Sequence, residues 1–164
     1  MAAFARTLRH LFAPSAAGSF PDPALARIGE AIAAGERLHD GEVVFAVEAG
    51  LPAGEAWRGA APRARAEDVF ARLRVWDTRA DNGVLLYLLL ADHAIEIVAD
   101  RGLHGRVTGA EWEAVCAAVR ERLLAGDDEA AAVEGVARIS ALLAAHFPAT
   151  GEARDELPDR PVRL

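Results

Sequence analysis

The stretch from Trp76 to Glu111 constrains the fold more than any other part of the chain, because it joins the densest apolar run to the densest cluster of turn residues and carboxylates. Gly83 to Leu90 is apolar throughout and of strand length; Asp92-His93 interrupts it, and Ile95-Glu96-Ile97-Val98 resumes with partial alternation. That pattern predicts two adjacent strands joined by a tight turn, a β-hairpin whose first strand is buried. Asp100-Arg101-Gly102 and Gly105 then predict a turn, and Thr108-Gly109-Ala110-Glu111 fits a capping box. In that box the threonine oxygen accepts from the N3 amide and the glutamate reaches back to the threonine amide, so a helix begins there.

The remaining elements follow from periodicity and punctuation. Asp22-Pro23 predicts a helix start with Asp22 as N-cap, and Leu25, Ile28, Ile32 and Leu38 trace one face up to a stop at His39-Asp40-Gly41. Val43 to Val47 is a β-branched and aromatic run between Gly41 and Gly50, a strand apolar on both faces that needs helices on both sides. Leu51 to Arg65 reads as an irregular connection in which Trp57 packs. Ala66-Glu67 opens a second helix, with Val69, Phe70, Leu73 and Trp76 facing the sheet, and this crossover makes the first two strands parallel. A third helix from Ala110 places Cys116 on its core stripe, and a fourth, capped by Asp127 or Asp128, runs to Phe147 and Pro148. The expected order is α-β-α-β-β-α-α: an α/β fold, a three-layer α/β/α sandwich around a small mixed sheet with a β-hairpin, with room for one further short strand.

This organisation divides the chain into an N-terminal segment 1–21, an α/β domain 22–148 and a mobile, charged tail 149–164. In the first segment Phe4, Leu8, Leu11 and Phe12 share a helical face with Arg6, Arg9 and His10 off it, a short amphipathic helix. A docking or frayed terminus is the preferred reading over an interfacial helix, since three turns make a weak anchor. The first twelve residues lack the apolar core of a signal peptide, and the longest apolar run is well short of the ~20 residues of a membrane span. The expectation is therefore a soluble, unprocessed, cytoplasmic protein, with peripheral membrane contact as the open question. The single cysteine cannot form an internal disulfide. A formal charge of −7 excludes wholesale binding to nucleic acid, which requires a basic face.

The hairpin topology gathers residues distant in sequence. The loop before the second strand and the turn after the third end at the same sheet edge, so Asp77, Asp81 and Asn82 should lie near Asp100, Arg101 and His104. Asp77, Asp81, Asn82 and Asp100 are hard oxygen donors suited to Ca²⁺ or Mg²⁺; each is also a residue type that initiates turns by bonding its own backbone. Arg101 and His104, beside a helix amino end, are candidates for holding an anion such as phosphate, with a salt bridge from Arg101 to Asp81 or Asp100 as the alternative. No phosphate loop, nucleophile elbow, HExxH motif or Cys/His cluster is present.

At these residues the chain resembles the TPM-domain family, named for a thylakoid lumen protein, a photosystem repair factor and a receptor modulator. Asp81-Asn82-Gly83-Val84-Leu85-Leu86 is similar to its D-N-G-V-L-L strand opening, Ile95-Glu96-Ile97-Val98 to its R-I-E-V strand, and Gly102-Leu103 with Thr108 to its G-L-E-G-x-L-T turn. The likeness covers roughly residues 22–147. It implies a sandwich of helices around a small sheet, an acidic edge that binds Ca²⁺ in some members, and an acid phosphatase activity ascribed to plant members. The chain departs from the pattern with Asp100-Arg101 in place of Gly-Tyr and His104 in place of Glu. Two functions are carried forward: a module that engages a protein partner near a membrane, with weak divalent-metal binding, and, as the alternative, a metal-dependent phosphatase acting on phosphomonoesters.

Overall fold

The computed structural model describes residues 1–151 and 156–164. Its centre is β1 (Glu42–Glu48) beside β2 (Gly83–Leu89), paired in parallel with Val43 opposite Val84 and Val47 opposite Leu88. Every residue of both strands is buried. After β2 a single 3₁₀ turn, Leu90–Asp92, and His93 in the left-handed region lead into β3 (Ala94–Ala99), antiparallel to β2 with Leu86 opposite Ile97. The predicted hairpin is therefore present.

The sheet has a fourth strand and the order β3-β2-β1-β4. The tail read as mobile supplies it: β4 (Val162–Arg163) pairs in parallel with Ala46 and Val47 of β1. Residues 152–155 of that tail lie outside the described residues. Around them the segment is tied down, with the Ala149 amide donating to the Leu38 carbonyl and the Glu156 and Leu157 amides to the Glu42 carboxylate. A two-residue strand carries no periodicity, so only its neighbour's free edge recruits it.

Alternate side chains of the central strands feed two cores, which makes the sandwich three-layered. On one face Val43, Phe45, Val47, Leu86, Leu88 and Ile97 meet α3 (Asp22–Glu36), α6 (Gly109–Leu124) and α7 (Asp128–His146). On the other Val44, Ala46, Leu85, Tyr87 and Leu89 meet α4 (Ala53–Trp57) and α5 (Pro62–Arg72). Cys116 sits in the first core, where burial pushes its thiol up to about 11. Thr108 and Glu111 form the predicted capping box, and Asp127 caps α7.

Several local expectations are corrected. The N-cap of α3 is Pro21, and Asp22 lies inside the helix and pairs with Arg163. The helix stops at Glu36, which leaves Leu38 63% exposed. The connection 51–65 contains α4 and the first turn of α5, which begins at Pro62 because proline suits that position. Trp76, expected in the core, lies past the end of α5 and is 48% exposed; Val75 is buried in its place. Trp57, expected to pack, is exposed as well.

The amino-terminal segment forms α1 (Ala2–Leu11) and the short α2 (Ala16–Ser19). Helix α1 docks, but through its polar side. Arg6 bonds Asp92 through Nε and Nη2 and reaches the carbonyls of Ala56 and Ala60. His10 accepts the Leu51 amide at Nδ1, so its proton is on Nε2, 3.0 Å from Asp92 Oδ1. The backbones close to contact at Gly50, where a Cβ would lie 2.6 Å from the His10 carbonyl oxygen. No helix among the described residues is long and apolar enough to cross a membrane.

Truncating Leu88, 1% exposed between α7 and the sheet, to alanine should cost about 2–5 kcal/mol in chemical denaturation. Burial raises the Asp92 carboxyl, but hydrogen bonds from Arg6 and Arg9 outweigh it and hold the group down to about 2. A depressed folded value means stability present above the unfolded 3.8 and lost as pH falls from there toward about 2. The protection of the α1 amides against hydrogen exchange, relative to their intrinsic rate at each pH, should therefore fall over that window before that of β2 does, and Asp92→Ala should bring the same loss of protection at neutral pH.

Candidate functional site

The two loops that the hairpin topology should unite do meet, at the end of the sheet where β2 starts and β3 finishes. The Asp100 amide donates to the Gly83 carbonyl and the Gly102 amide to the Asp81 carbonyl, at 2.9 and 2.8 Å. Gly102 is required there, since a Cβ would lie 2.5 Å from the Asp81 carbonyl oxygen. Asp81 itself takes a left-handed backbone, φ 53°, which aspartate tolerates better than most residues.

The side chains at this edge are arranged in separate pairs. Arg101 donates from Nη2 to Asp81 Oδ1 at 2.9 Å, with its Nε 2.9 Å from Oδ2, and that hydrogen bond holds the Asp81 carboxyl below its ordinary value. Asp77 pairs with Arg74 instead. Asn82 is buried: its side-chain amide donates to the Asp40 carbonyl and its backbone amide to Thr78 Oγ1. Asp100 accepts from the Arg101 amide through Oδ1, while Oδ2 is buried without a hydrogen-bond partner among the described residues. His104 is exposed on the rim of a shallow recess of about 380 Å³ with Arg63, Leu103 and Trp112. The amino end of α6 is closed by its own capping box, which occupies the donors that an anion would use.

As they stand, Asp77, Asp81, Asn82 and Asp100 do not converge on one ion. No group of three or more His, Cys, Asp or Glu among the described residues is placed to hold one. Among these four residues, the feature that fits a cation is the unpartnered Asp100 Oδ2.

Further acidic chemistry lies at the same end and was not legible from spacing. Glu36, at the close of α3, accepts the Val43 amide and shares a hydrogen bond with Asp159. Burial, that hydrogen bond and the charge of Glu42 raise its carboxyl to about 9. At neutral pH burial therefore keeps the Glu36 carboxyl in its protonated form. The partners are far apart in sequence, and the only local signal was a glutamate at the start of an apolar strand.

Beneath this end, a serine and a histidine both lie against Gly35 inside the fold. A Cβ on Gly35 would crowd Ser140 Oγ and lie 3.6 Å from His39 Nε2, and neither atom has a partner among the described residues. His39 Nδ1 donates to the Gly41 carbonyl, and burial lowers its affinity for a proton. His39 belongs to the predicted helix stop, and the chain closing at Pro148 covers it. The two residues are 2% and 4% exposed, so no substrate reaches them. A second polar network, Tyr87 donating to Glu48 with Arg65 on both Glu48 oxygens, joins α5 to the sheet.

Comparisons with known proteins agree with the fold. The family described as "TPM domain" matches residues 15–142. Among solved structures, the NMR structure of the BA42 protein from the psychrophilic bacterium Bizionia argentinensis superposes with a TM-score of 0.77 at 26% identity, covering 87% of this chain and 93% of that one. No curated protein matches the chain.

The raised Glu36 carboxyl makes a prediction with a definite sign. A folded value raised from 4.5 to about 9 means that the stability contributed by Glu36 is complete below 4.5 and is lost as pH rises through about 9. The melting temperature should fall across that range in the native chain. It should fall less in Glu36→Gln, which cannot ionise.

Proposed function

This chain belongs to the TPM-domain family, and from that premise we propose that it is a non-catalytic binding module that engages a protein partner near a membrane. The observation that carries the reading is a groove at the hairpin tip, at the opposite end of the sheet from the acidic loops. Leu89, Leu90, Ile95 and Leu123 wall it, Arg120 and His93 stand at its margin, and its volume is about 370 Å³. Leu124, at the lip, is 83% exposed. Such a groove accepts one or two apolar side chains of a partner, the kind of anchor that dominates interface energies. The membrane part of the reading rests on the family resemblance alone.

Asp100 Oδ2 favours a second reading, an ion-dependent phosphomonoesterase at the acidic edge. There Asp81 and Asp100 would hold Ca²⁺ or Mg²⁺ and Arg101 a phosphate, which requires Arg101 to leave Asp81. Built on turn oxygens in competition with a guanidinium, such a site would bind Ca²⁺ with Kd on the order of 10⁻⁴–10⁻³ M. No nucleophile stands ready beside it, which is why the module is preferred.

Two measurements separate the readings. Pure protein should not hydrolyse a generic phosphomonoester with or without millimolar Ca²⁺ or Mg²⁺; turnover that disappears in Asp81→Ala would reverse the order. A photo-crosslinking residue at position 124 should capture one discrete protein in cells, and the same residue at exposed Arg79 should not.

A further inference from the structure

Helix α1 presents an apolar ridge that the fold leaves uncovered. Phe4, Leu8, Leu11 and Phe12 are 56, 37, 62 and 76% exposed, and none belongs to either core. They fall within an arc of roughly 100° on the helix, opposite Arg6 and His10. An amphipathic helix on a globular domain ordinarily turns its apolar stripe inward. Here Asp92 prevents that, because Arg6 and His10 are committed to it and to the carbonyls of α4. The apolar face is held outward by the fold itself.

The surroundings of the ridge identify what would cover it. Residues 1–12 contain no carboxylate, although the whole chain has a formal charge of −7. Arg9 keeps its side chain 55% exposed while bonding Asp92. Helix α4, packed on α1, adds exposed Trp57 and Arg58. Phenylalanine, leucine and tryptophan bordered by arginine on a convex helix match the headgroup and acyl boundary of a bilayer, which demands no complementary groove. The acidic loops lie at the other end of the sheet and would face away from an anionic surface.

We infer that α1 is a docking helix for an anionic lipid surface, inserting Phe4, Leu8, Leu11 and Phe12 with Arg9 and Arg58 at the phosphates. This rests on the reading of the chain as a membrane-adjacent module, but it uses a surface separate from the groove at Leu124. Because α1 is already folded and clamped, docking incurs no helix-nucleation cost, which is what makes three turns sufficient. The clamp also fixes the orientation of the hairpin tip at the surface.

Co-sedimentation of the full chain with vesicles of phosphatidylcholine and phosphatidylglycerol, and of phosphatidylcholine alone, tests this. The native chain should sediment with the anionic vesicles and be partly released by salt. Leu8→Glu with Leu11→Glu should reduce partitioning by about tenfold or more while leaving the melting temperature near the native value, because neither side chain belongs to a core. Phe4→Ser with Phe12→Ser should produce a similar loss without adding charge, and Leu124→Glu should leave vesicle binding intact. A native chain that stays in the supernatant with both vesicle types, or a Leu8/Leu11 variant that sediments like the native chain, overturns the inference. So does a native dimer without vesicle affinity that the Leu8/Leu11 variant turns into a monomer, since the ridge would then belong to a second copy. Vesicle binding and the crosslink at position 124 can each fail without the other, so the lipid inference and the partner reading fail separately.

Discussion

Strands β1 and β2 bury every side chain on both faces, and a parallel pair so buried cannot exist without a helical layer on each side. Each fully buried aliphatic side chain in them contributes about 1.5–3 kcal/mol of transfer free energy, so these strands outweigh any surface contact in the molecule. The rest of the architecture follows from that demand. Helix α5 covers one face as the crossover between the strands, while α3, α6 and α7 cover the other. With both faces closed, functional chemistry is confined to the two ends of the strands and to the edges.

Those ends have opposite character. At the amino ends of β1 and β2, carboxylates accumulate and each finds its own relief: Asp81 from Arg101, Asp77 from Arg74, Glu36 from the protonation that burial favours. Like charges brought together by topology must be neutralised by a cation, a proton or an arginine, and this chain mostly uses the last two. At the hairpin tip the relation is inverted, with one aspartate receiving Arg6, Arg9 and His10. Burying that cluster is favourable only because nearly every donor in it has an acceptor, including the carbonyls of Ala56 and Ala60.

The parts of the candidate site that could be read beforehand were those set by local pattern plus one topological step. An antiparallel β3 must end beside the start of β2, so the meeting of Asp81 with Arg101 followed from the hairpin alone. The raised carboxyl of Glu36 followed from nothing local, because it depends on a tail returning to α3 and on burial that no spacing encodes. Helix α4 and strand β4 were likewise too short to carry a period. Trp76 was misplaced because helical spacing was extended past the true end of α5, where the chain turns and Val75 takes the buried position.

What the sequence by itself determined was therefore the set of strongly periodic elements: the hairpin, the doubly buried first strand, the crossover that makes them parallel, and the capped helices behind them. Periodicity and capping are short-range properties, so residues a few positions apart suffice to specify them. The tertiary structure alone decided which face of α1 points outward. Hydrophobic pattern states only that a helix has two faces; which one is buried depends on what the body offers. Here the body offers a carboxylate, two carbonyls and the Leu51 amide where an apolar groove would have reversed the helix.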